Sequence, residues 1–234
     1  MDRLSTPDLL ELHAILRKYS EDEARDEGGR WTAGGGSASA DILAAATGTP
    51  PAYAKAAIAT SIDKASAKAF FSVAHARGFD GLPTVVHSLK PGIARGDIPL
   101  VRGTRPEFAQ QLKTGDYFAA RGTFGTGIYT FQADDPTVRS YGGSGTTLKM
   151  SLSADAKVAD WAPGANGRYT LAGESGDKMY TTLAEHSPGL AKTAAGDDGL
   201  TAALLGYDAV RVVDDDGTTR EYVVLNRTML KVQQ

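Results

Sequence analysis

The stretch GYDAVRVVDDDGTTREYVVLN, residues 206–226, carries the clearest structural signal in this sequence. Its two halves, DAVRVV and REYVVL, are rich in β-branched residues, and the DDG between them supplies residues that tight turns favour. The pattern therefore predicts a β-hairpin. Because side chains alternate along a strand, the second strand places Glu221, Val223 and Leu225 on one face. A carboxylate thus shares a strand face with two aliphatic side chains.

Upstream of this hairpin, from about residue 81, short β-rich runs are separated by glycines. Two short helical pieces, PEFAQQLK and GLTAALLG, interrupt these runs. The runs do not alternate with helices in the regular way of a parallel doubly wound sheet, so the sequence predicts an α+β fold. The β-rich runs are PTVVHSL, IPLVRG, DYFAA, GIYTF, TTLKMSLS, DAVRVVD and REYVVLN.

The chain before residue 81 divides into two segments. Residues 1–40 contain a helical pattern in TPDLLELHAILRKY and then a charged, Gly/Ser-rich arm, whose composition buries too little apolar surface to become ordered. Residues 41–80 contain a second helical pattern, with Ala69 and Val73 on its apolar stripe and Phe70 beside them. We expect a short helix and flexible arm at 1–40, a helical segment packing on the core at 41–80, and the main α+β domain at 81–234.

The composition excludes several functional classes. A net charge of −3 predicts no general attraction to nucleic acid. The chain has no cysteine, which excludes disulfides, thiolate zinc sites and cysteine nucleophiles. No apolar run has the length of a membrane span, and the start MDRLSTPDLLELH lacks the pattern of a secretory signal. We therefore expect a cytoplasmic protein without a membrane partner.

The sequence also lacks the motifs of several common catalytic sites. RGTFGTGIYT is rich in glycine, but the order of its glycines and the strand-like residues after them fit neither a P-loop nor a dinucleotide-binding turn. The four histidines lie far apart, so no metal site is predicted. GGSG at residues 142–145 is typical of a loop rather than of a serine nucleophile elbow. Function must therefore rest on other groups.

The stretch VRGTRPEF, residues 101–108, places Arg102 directly after a strand-like run. One interpretation is structural: Thr104, Pro106 and Glu107 have the spacing of a helix N-terminus, with Thr104 as the cap, and Arg102 is then a solvated residue at the strand end. The other interpretation is that Arg102 binds an anion through charge-assisted hydrogen bonds. These eight residues alone leave both interpretations open.

Three motifs in this order resemble the ADP-ribosyltransferase family. PLVRGTR is similar to the poly(ADP-ribose) polymerase stretch in which a histidine, a glycine and a hydroxyl residue follow a strand, with Arg102 in place of the histidine as in the arginine-first toxin branch. FGTGIYTFQADDPTVRSYGG resembles the glycine-rich turn, strand and later tyrosine of the polymerases. GYDAVRVV and REYVVLNRTMLKV resemble the closing hairpin, in which a glutamate opens the strand. The resemblance covers residues 83–232.

This resemblance implies both a fold and a substrate. The implied fold is a split mixed β-sheet with flanking helices, preceded by a helical N-terminal segment, and the implied substrate is NAD. Glu221 is the implied catalytic carboxylate, which stabilises the oxocarbenium-like state formed as the bond between nicotinamide and ribose breaks. The implied NAD-binding residues are Arg102, Gly103, Tyr129, Thr130 and Tyr141.

The implied reaction is transfer of a single ADP-ribose unit from NAD to a protein, with a host protein as the expected acceptor. Thr219 stands two residues before Glu221, where family members that modify arginine carry a second glutamate. Two alternatives remain open: an NAD glycohydrolase, and a non-catalytic phage head-associated protein that uses the fold as a binding module. The arm ARDEGGRWTAGGG resembles sequences of phage head-associated proteins, which implies delivery with the virion into a host cell.

Overall fold

The computed structural model describes residues 64–89, 96–114, 119–133, 138, 145–163, 169–171 and 173–234. The predicted helix and arm at 1–40, the first part of the helical segment at 41–80, and Tyr141 lie outside these residues. In the described part of the chain, no helix is long and apolar enough to cross a membrane.

A mixed β-sheet is the centre of the described structure. The strands are β1 (Thr84–Val86), β2 (Ile98–Thr104), β3 (Ala120–Gly122), β4 (Gly125–Gln132), β5 (Thr146–Leu152), β6 (Val158–Pro163), β7 (Tyr169–Leu171), β8 (Ala209–Val213), β9 (Thr219–Val224) and β10 (Leu230–Gln233). Their spatial order is β1-β10-β5-β2-β4-β9-β8-β6-β7, and β3 pairs with β4 outside this order. Two of the pairings, β1 with β10 and β6 with β8, are parallel, whereas the others are antiparallel.

Helices flank this sheet. The helices of the described residues are α1 (Lys64–Ala76), α2 (Pro106–Thr114), α3 (Gly173–His186), α4 (Pro188–Ala195) and α5 (Asp198–Leu204), with a 3₁₀ turn at Arg227–Met229. Helix α1 packs against α4, α5 and β4, and α5 also contacts β4 and β8. The predicted α+β class is confirmed, because strands and helices follow one another without regular alternation.

Helix α1 shares one hydrophobic core with the sheet. Phe70 and Phe71 are almost fully buried, and their rings meet edge to face with centroids 5.8 Å apart. Val73 is also fully buried, as the predicted apolar stripe requires. Burying two phenylalanines and a valine contributes roughly 4.5–9 kcal/mol of transfer free energy, at about 1.5–3 kcal/mol for each side chain.

The hairpin predicted at residues 206–226 is confirmed as the antiparallel pair β8 and β9. The turn between them is closed by hydrogen bonds from the Asp214 amide to the Thr218 carbonyl and from the Gly217 amide to the Asp214 carbonyl, both 2.9 Å. Gly217 has φ of 81°, a left-handed conformation that glycine adopts without steric cost. The turn chemistry of DDDG therefore sets the position of the whole β9 strand.

The predicted helix start near Arg102 is shifted by one residue, because the cap lies at Arg105 and not at Thr104. Helix α2 begins at Pro106, and the Ala109 amide donates to the Arg105 carbonyl at 3.0 Å, which gives Arg105 the capping position. Thr104 is instead the last residue of β2 and is buried. The correction follows from the pairing of β2 with β5, which continues through Thr104 and keeps that residue in the sheet.

Candidate functional site

A cleft of about 340 Å³ opens on the sheet and gathers residues from β2, β3, β4 and β9. Its volume lies at the lower end of the range of roughly 300–1,000 Å³ that is usual for ligand pockets. Its charged members are two arginines and one glutamate, and its other members are aromatic side chains, glycines and a threonine. The lining residues are Arg102, Gly103, Gly122, Thr123, Phe124, Tyr129, Phe131, Arg220 and Glu221.

The cleft lies where two neighbouring strands separate. Strand β2 pairs with β4 only at Leu100 with Gln132 and Val101 with Phe131. Beyond Val101, β2 continues beside β5, whereas the rest of β4 pairs with β9 and with β3. The sheet therefore forks beyond Val101, with β2 and β5 on one arm of the fork and β4 and β9 on the other. A gap separates the residues that follow Val101 on β2 from β4.

Arg102 bridges this gap. It is half-buried, and its guanidinium donates a hydrogen bond to the backbone carbonyl of Tyr129 on β4. Gly103 follows it on β2 and lines the same cleft. A guanidinium anchored to the opposite strand holds its planar donor fork in a fixed orientation, which suits it to bind a phosphate or a carboxylate.

The Tyr129 side chain fixes the wall of the cleft. Its hydroxyl donates to the Gly125 carbonyl at 2.6 Å and accepts from the Phe124 amide at 3.0 Å, which closes the turn between β3 and β4. Its ring lies against Gly122, where an added Cβ would come within 2.4 Å of the tyrosine Cζ. Burial, with the nearby Glu221 carboxylate as a lesser cause, raises the pKa of the phenol well above its usual range, so the hydroxyl stays protonated.

Glu221 lies on the other arm of the fork. Its strand neighbour Val223 pairs with Tyr129, and residues two apart on a strand share a face, so Glu221 lies on the same side of the sheet as Tyr129. Only 8% of Glu221 is exposed although it lines the cleft. Acidic side chains are seldom buried to this extent, so Glu221 is a candidate functional group of the cleft.

Asp197 joins the start of β4, the strand that carries Tyr129, to the start of α5. Its carboxylate accepts hydrogen bonds from the Thr126 amide at 2.7 Å, from the Thr126 hydroxyl at 2.6 Å and from the Leu200 amide at 2.8 Å. It is therefore the N-cap of α5 and also a clamp on the first residues of β4. Gly125, with φ of 84°, permits this close approach, because a Cβ there would lie 2.2 Å from the Gly199 amide nitrogen.

Phe124 connects the cleft to a second, half-buried acid. Its ring meets Trp161 on β6 edge to face with centroids 4.5 Å apart, and the indole nitrogen of Trp161 donates to the Asp198 carboxylate at 2.9 Å. Burial raises the pKa of Asp198, and the Trp161 hydrogen bond opposes that effect. The Phe124 ring that lines the cleft therefore packs against Trp161, whose position is fixed by its hydrogen bond to Asp198.

Of the residues predicted for the site, the structure brings four into one cleft: Arg102, Gly103, Tyr129 and Glu221. Thr130 is not among the lining residues. It is fully buried, and its hydroxyl donates to the Tyr222 carbonyl at 3.0 Å, so its side chain joins two strands in the core. The alternation of side chains along β4 already places Thr130 on the face opposite Tyr129.

Several lining residues were not predicted from the sequence. Phe131 lies two residues after Tyr129 and could have been found by the same alternation. Phe124 and Arg220 depend on a turn and on an irregular strand pairing, which leave no local sequence signal. The residues added by the structure are Gly122, Thr123, Phe124, Phe131 and Arg220.

The site combines cationic, anionic and aromatic groups within one cleft. Two guanidinium groups suit an anionic part of a ligand, and a carboxylate beside aromatic rings suits a part that carries or develops positive charge. Among the residues that the structure describes, there is no cluster of three or more His, Asp or Glu side chains that could hold a metal ion. Comparisons of the chain with family models, with curated proteins and with solved structures give no match.

Proposed function

We propose that this protein is a mono-ADP-ribosyltransferase that cleaves NAD between nicotinamide and ribose and transfers ADP-ribose to a protein. The observation that carries the proposal is the meeting of Arg102 and Glu221, which are more than a hundred positions apart in the chain, in one cleft. The forked sheet supports it as well, because the resemblance to ADP-ribosyltransferases implies a split sheet. The fold assignment to that family is part of this proposal.

The proposed role of Glu221 follows from the charge that develops in the reaction. As the bond from ribose to nicotinamide breaks, positive charge builds on the sugar, and a carboxylate held nearby stabilises that state. Nicotinamide leaves as a neutral amine, so the reaction needs no strong general acid. The burial of Glu221 strengthens its electrostatic effect, because little solvent screens it.

The proposed binding residues divide the dinucleotide between them. Arg102 pairs with the pyrophosphate through forked, charge-assisted hydrogen bonds. Tyr129 and Phe131 offer aromatic surface to the pyridinium ring, which loses its positive charge on cleavage. Gly103 lets the carboxamide approach the backbone of β2 closely, since it has no side chain. Product release is favoured because the aromatic contact weakens once nicotinamide is neutral.

The test is the Glu221→Gln variant, which keeps the size of the side chain and removes its charge. We expect nicotinamide release and protein labelling from biotin-tagged NAD to fall by at least about a hundredfold, the scale of losing a well-placed electrostatic stabiliser. Glu185→Gln, an exposed carboxylate on α3 outside the cleft, is the matched control and is expected to keep full activity. Circular dichroism of both variants checks that each is folded. Labelling by Glu221→Gln at the rate of the original protein would remove the assignment.

The same measurements separate the alternatives. Nicotinamide release without any modified protein indicates an NAD glycohydrolase. No heat on titration with NAD and no nicotinamide release indicate a binding module without this activity, such as a structural protein of a phage particle. The proposal also includes delivery into the cytoplasm of a host cell and a host protein as the acceptor, and labelling of a bacterial lysate followed by mass spectrometry tests the acceptor.

A further inference from the structure

The pairing of β8 with β9 contains an irregularity beside Glu221. Val212 pairs with Glu221, but the next residue, Val213, pairs with Thr219 rather than with Arg220. Arg220 is therefore the extra residue of a β-bulge, because two residues on β9 oppose one position on β8. Bulges of this kind change the direction in which a side chain points.

The bulge has a direct consequence for the cleft. In a regular strand, consecutive residues point to opposite faces, yet Arg220 and Glu221 both line this cleft. The Arg220 side chain is 59% exposed, whereas Glu221 as a whole is 8% exposed. The guanidinium therefore stands at the mouth of the cleft, and the carboxylate lies deeper. A group that enters the cleft from solvent to reach Glu221 therefore passes Arg220.

We propose that Arg220 selects an acidic side chain of a protein as the acceptor of ADP-ribose, a role that rests on the proposed transferase function. Arg220 binds the incoming carboxylate of an Asp or Glu through charge-assisted hydrogen bonds and offsets its repulsion from Glu221. The same positive charge disfavours arginine or lysine as the acceptor.

The number of carboxylates in the cleft points to the same acceptor. Among the described residues that line it, Glu221 is the only acid. Its proposed role at the ribose leaves no second carboxylate there to remove a proton from a guanidinium or a hydroxyl. A carboxylate acceptor is already ionised at neutral pH, so it needs no general base.

Nucleic acid fits the mouth of the cleft less well than a single acidic side chain. The turn that leads into β9 carries Asp214, Asp215 and Asp216, and the Asp214 carboxylate lies 4.0 Å from the Arg220 guanidinium. These acids, together with the net charge of −3, repel a polyanion that would lie across the rim. A single carboxylate on a protein surface carries much less negative charge than a polyanion, so these aspartates repel it much less.

The chemical step balances without a further reactant. An oxygen of the acceptor carboxylate forms a bond to C1′ of the ribose, and the bond from C1′ to the nicotinamide nitrogen breaks. The electron pair of the broken bond neutralises the pyridinium ring, and the acceptor loses its negative charge in the new ester. No proton has to be transferred.

The test uses the full chain, NAD and three synthetic peptides that differ only in a central Glu, Gln or Arg. Nicotinamide release is measured by chromatography, and modified peptide by mass spectrometry. We expect the Glu peptide to be modified at least about tenfold faster than the others, with a label that neutral hydroxylamine removes, as it does from carboxylate esters. Arg220→Gln is expected to lower the ratio of peptide transfer to nicotinamide release by about tenfold or more, the scale of one charge-assisted hydrogen bond.

Two further variants complete the test. Arg220→Lys keeps the charge and is expected to recover part of the ratio, whereas Arg105→Gln changes an exposed arginine outside the cleft and is expected to leave the ratio as it was. Preference for the Arg peptide, a hydroxylamine-resistant label, or an unchanged ratio in Arg220→Gln would overturn this inference while leaving the NAD-cleaving function intact. A complete lack of nicotinamide release from the original protein would overturn the function itself.

Discussion

Replacing Asp197 with alanine is expected to destabilise the protein by about 3–5 kcal/mol, a magnitude that follows from its three hydrogen bonds. The side chain is 1% exposed and joins the start of α5 to the start of β4. Loss of the N-cap costs about 1 kcal/mol, and leaving the buried Thr126 amide and hydroxyl without their acceptor costs roughly 1–3 kcal/mol each. Water entering the small space left behind reduces the sum somewhat.

Urea unfolding followed by circular dichroism measures this loss. With a slope of about 2 kcal/mol per molar urea, a loss of 4 kcal/mol moves the midpoint by about 2 M. Asp177→Ala, an exposed aspartate on α3, is the control and is expected to change stability by less than about 0.5 kcal/mol. Asp197→Asn keeps an acceptor for the backbone amides, so its loss of unfolding free energy is expected to lie between those of Asp197→Ala and Asp177→Ala.

The result bears on the site as well as on stability. Asp197 contacts Thr126, next to the turn that Tyr129 closes, so Asp197→Ala is also expected to weaken the NAD binding proposed above. A destabilisation below about 1 kcal/mol would refute the reasoning, because it would mean that the Thr126 groups find other partners without cost.

Three other replacements test the start of β4, the turn between β8 and β9, and the start of α5. Gly125→Ala and Gly217→Ala both place a side chain at φ near +80°. A Cβ at 125 would lie 2.2 Å from the Gly199 backbone nitrogen, whereas the space at 217 is open. Urea unfolding is therefore expected to show Gly125→Ala less stable than Gly217→Ala by about 2 kcal/mol or more. A difference near zero would contradict the close contact. Asp198→Asn is expected to raise stability at pH 7, because a pKa raised by burial means that the folded state loses stability as pH rises through that pKa. The gain should shrink as pH falls towards the unfolded value near 3.8, and a gain that grows instead would show that the sign is wrong.

The elements that sequence reasoning predicted are those whose signals are local. The β8–β9 hairpin follows from β-branched residues on either side of DDDG, and α2 and α5 follow from short apolar patterns with Pro or Asp near their starts. Strand β6 was not predicted, because VADWAP has little β-branched content and its pairing partner β8 lies some fifty residues further along the chain. Helix α3 begins at Gly173 and contains a second glycine, so its intrinsic helix propensity is low and packing must supply the difference.

For the site as well, single residues could be predicted from local signals, whereas their arrangement in space could not. Arg102, Tyr129 and Glu221 lie next to recognisable strand signals, but their meeting depends on the order β2-β4-β9 in the sheet, which is a tertiary property. Arg220 could not be predicted, since strict alternation places it on the face opposite Glu221 and only the bulge reverses that.

The forked sheet and the packing of α5 are best explained together. A sheet stays continuous when each strand keeps its neighbour, yet β4 leaves β2 after two pairs. At its start, β4 instead meets the N-terminus of α5 so closely that a Cβ at Gly199 would lie 2.0 Å from the Thr126 carbonyl oxygen. Asp197 secures that contact with hydrogen bonds that β2 does not offer. Gly125 and Gly199 therefore have a structural purpose: they let the N-terminus of α5 hold β4 away from β2, and the gap this leaves is the cleft that Arg102 spans.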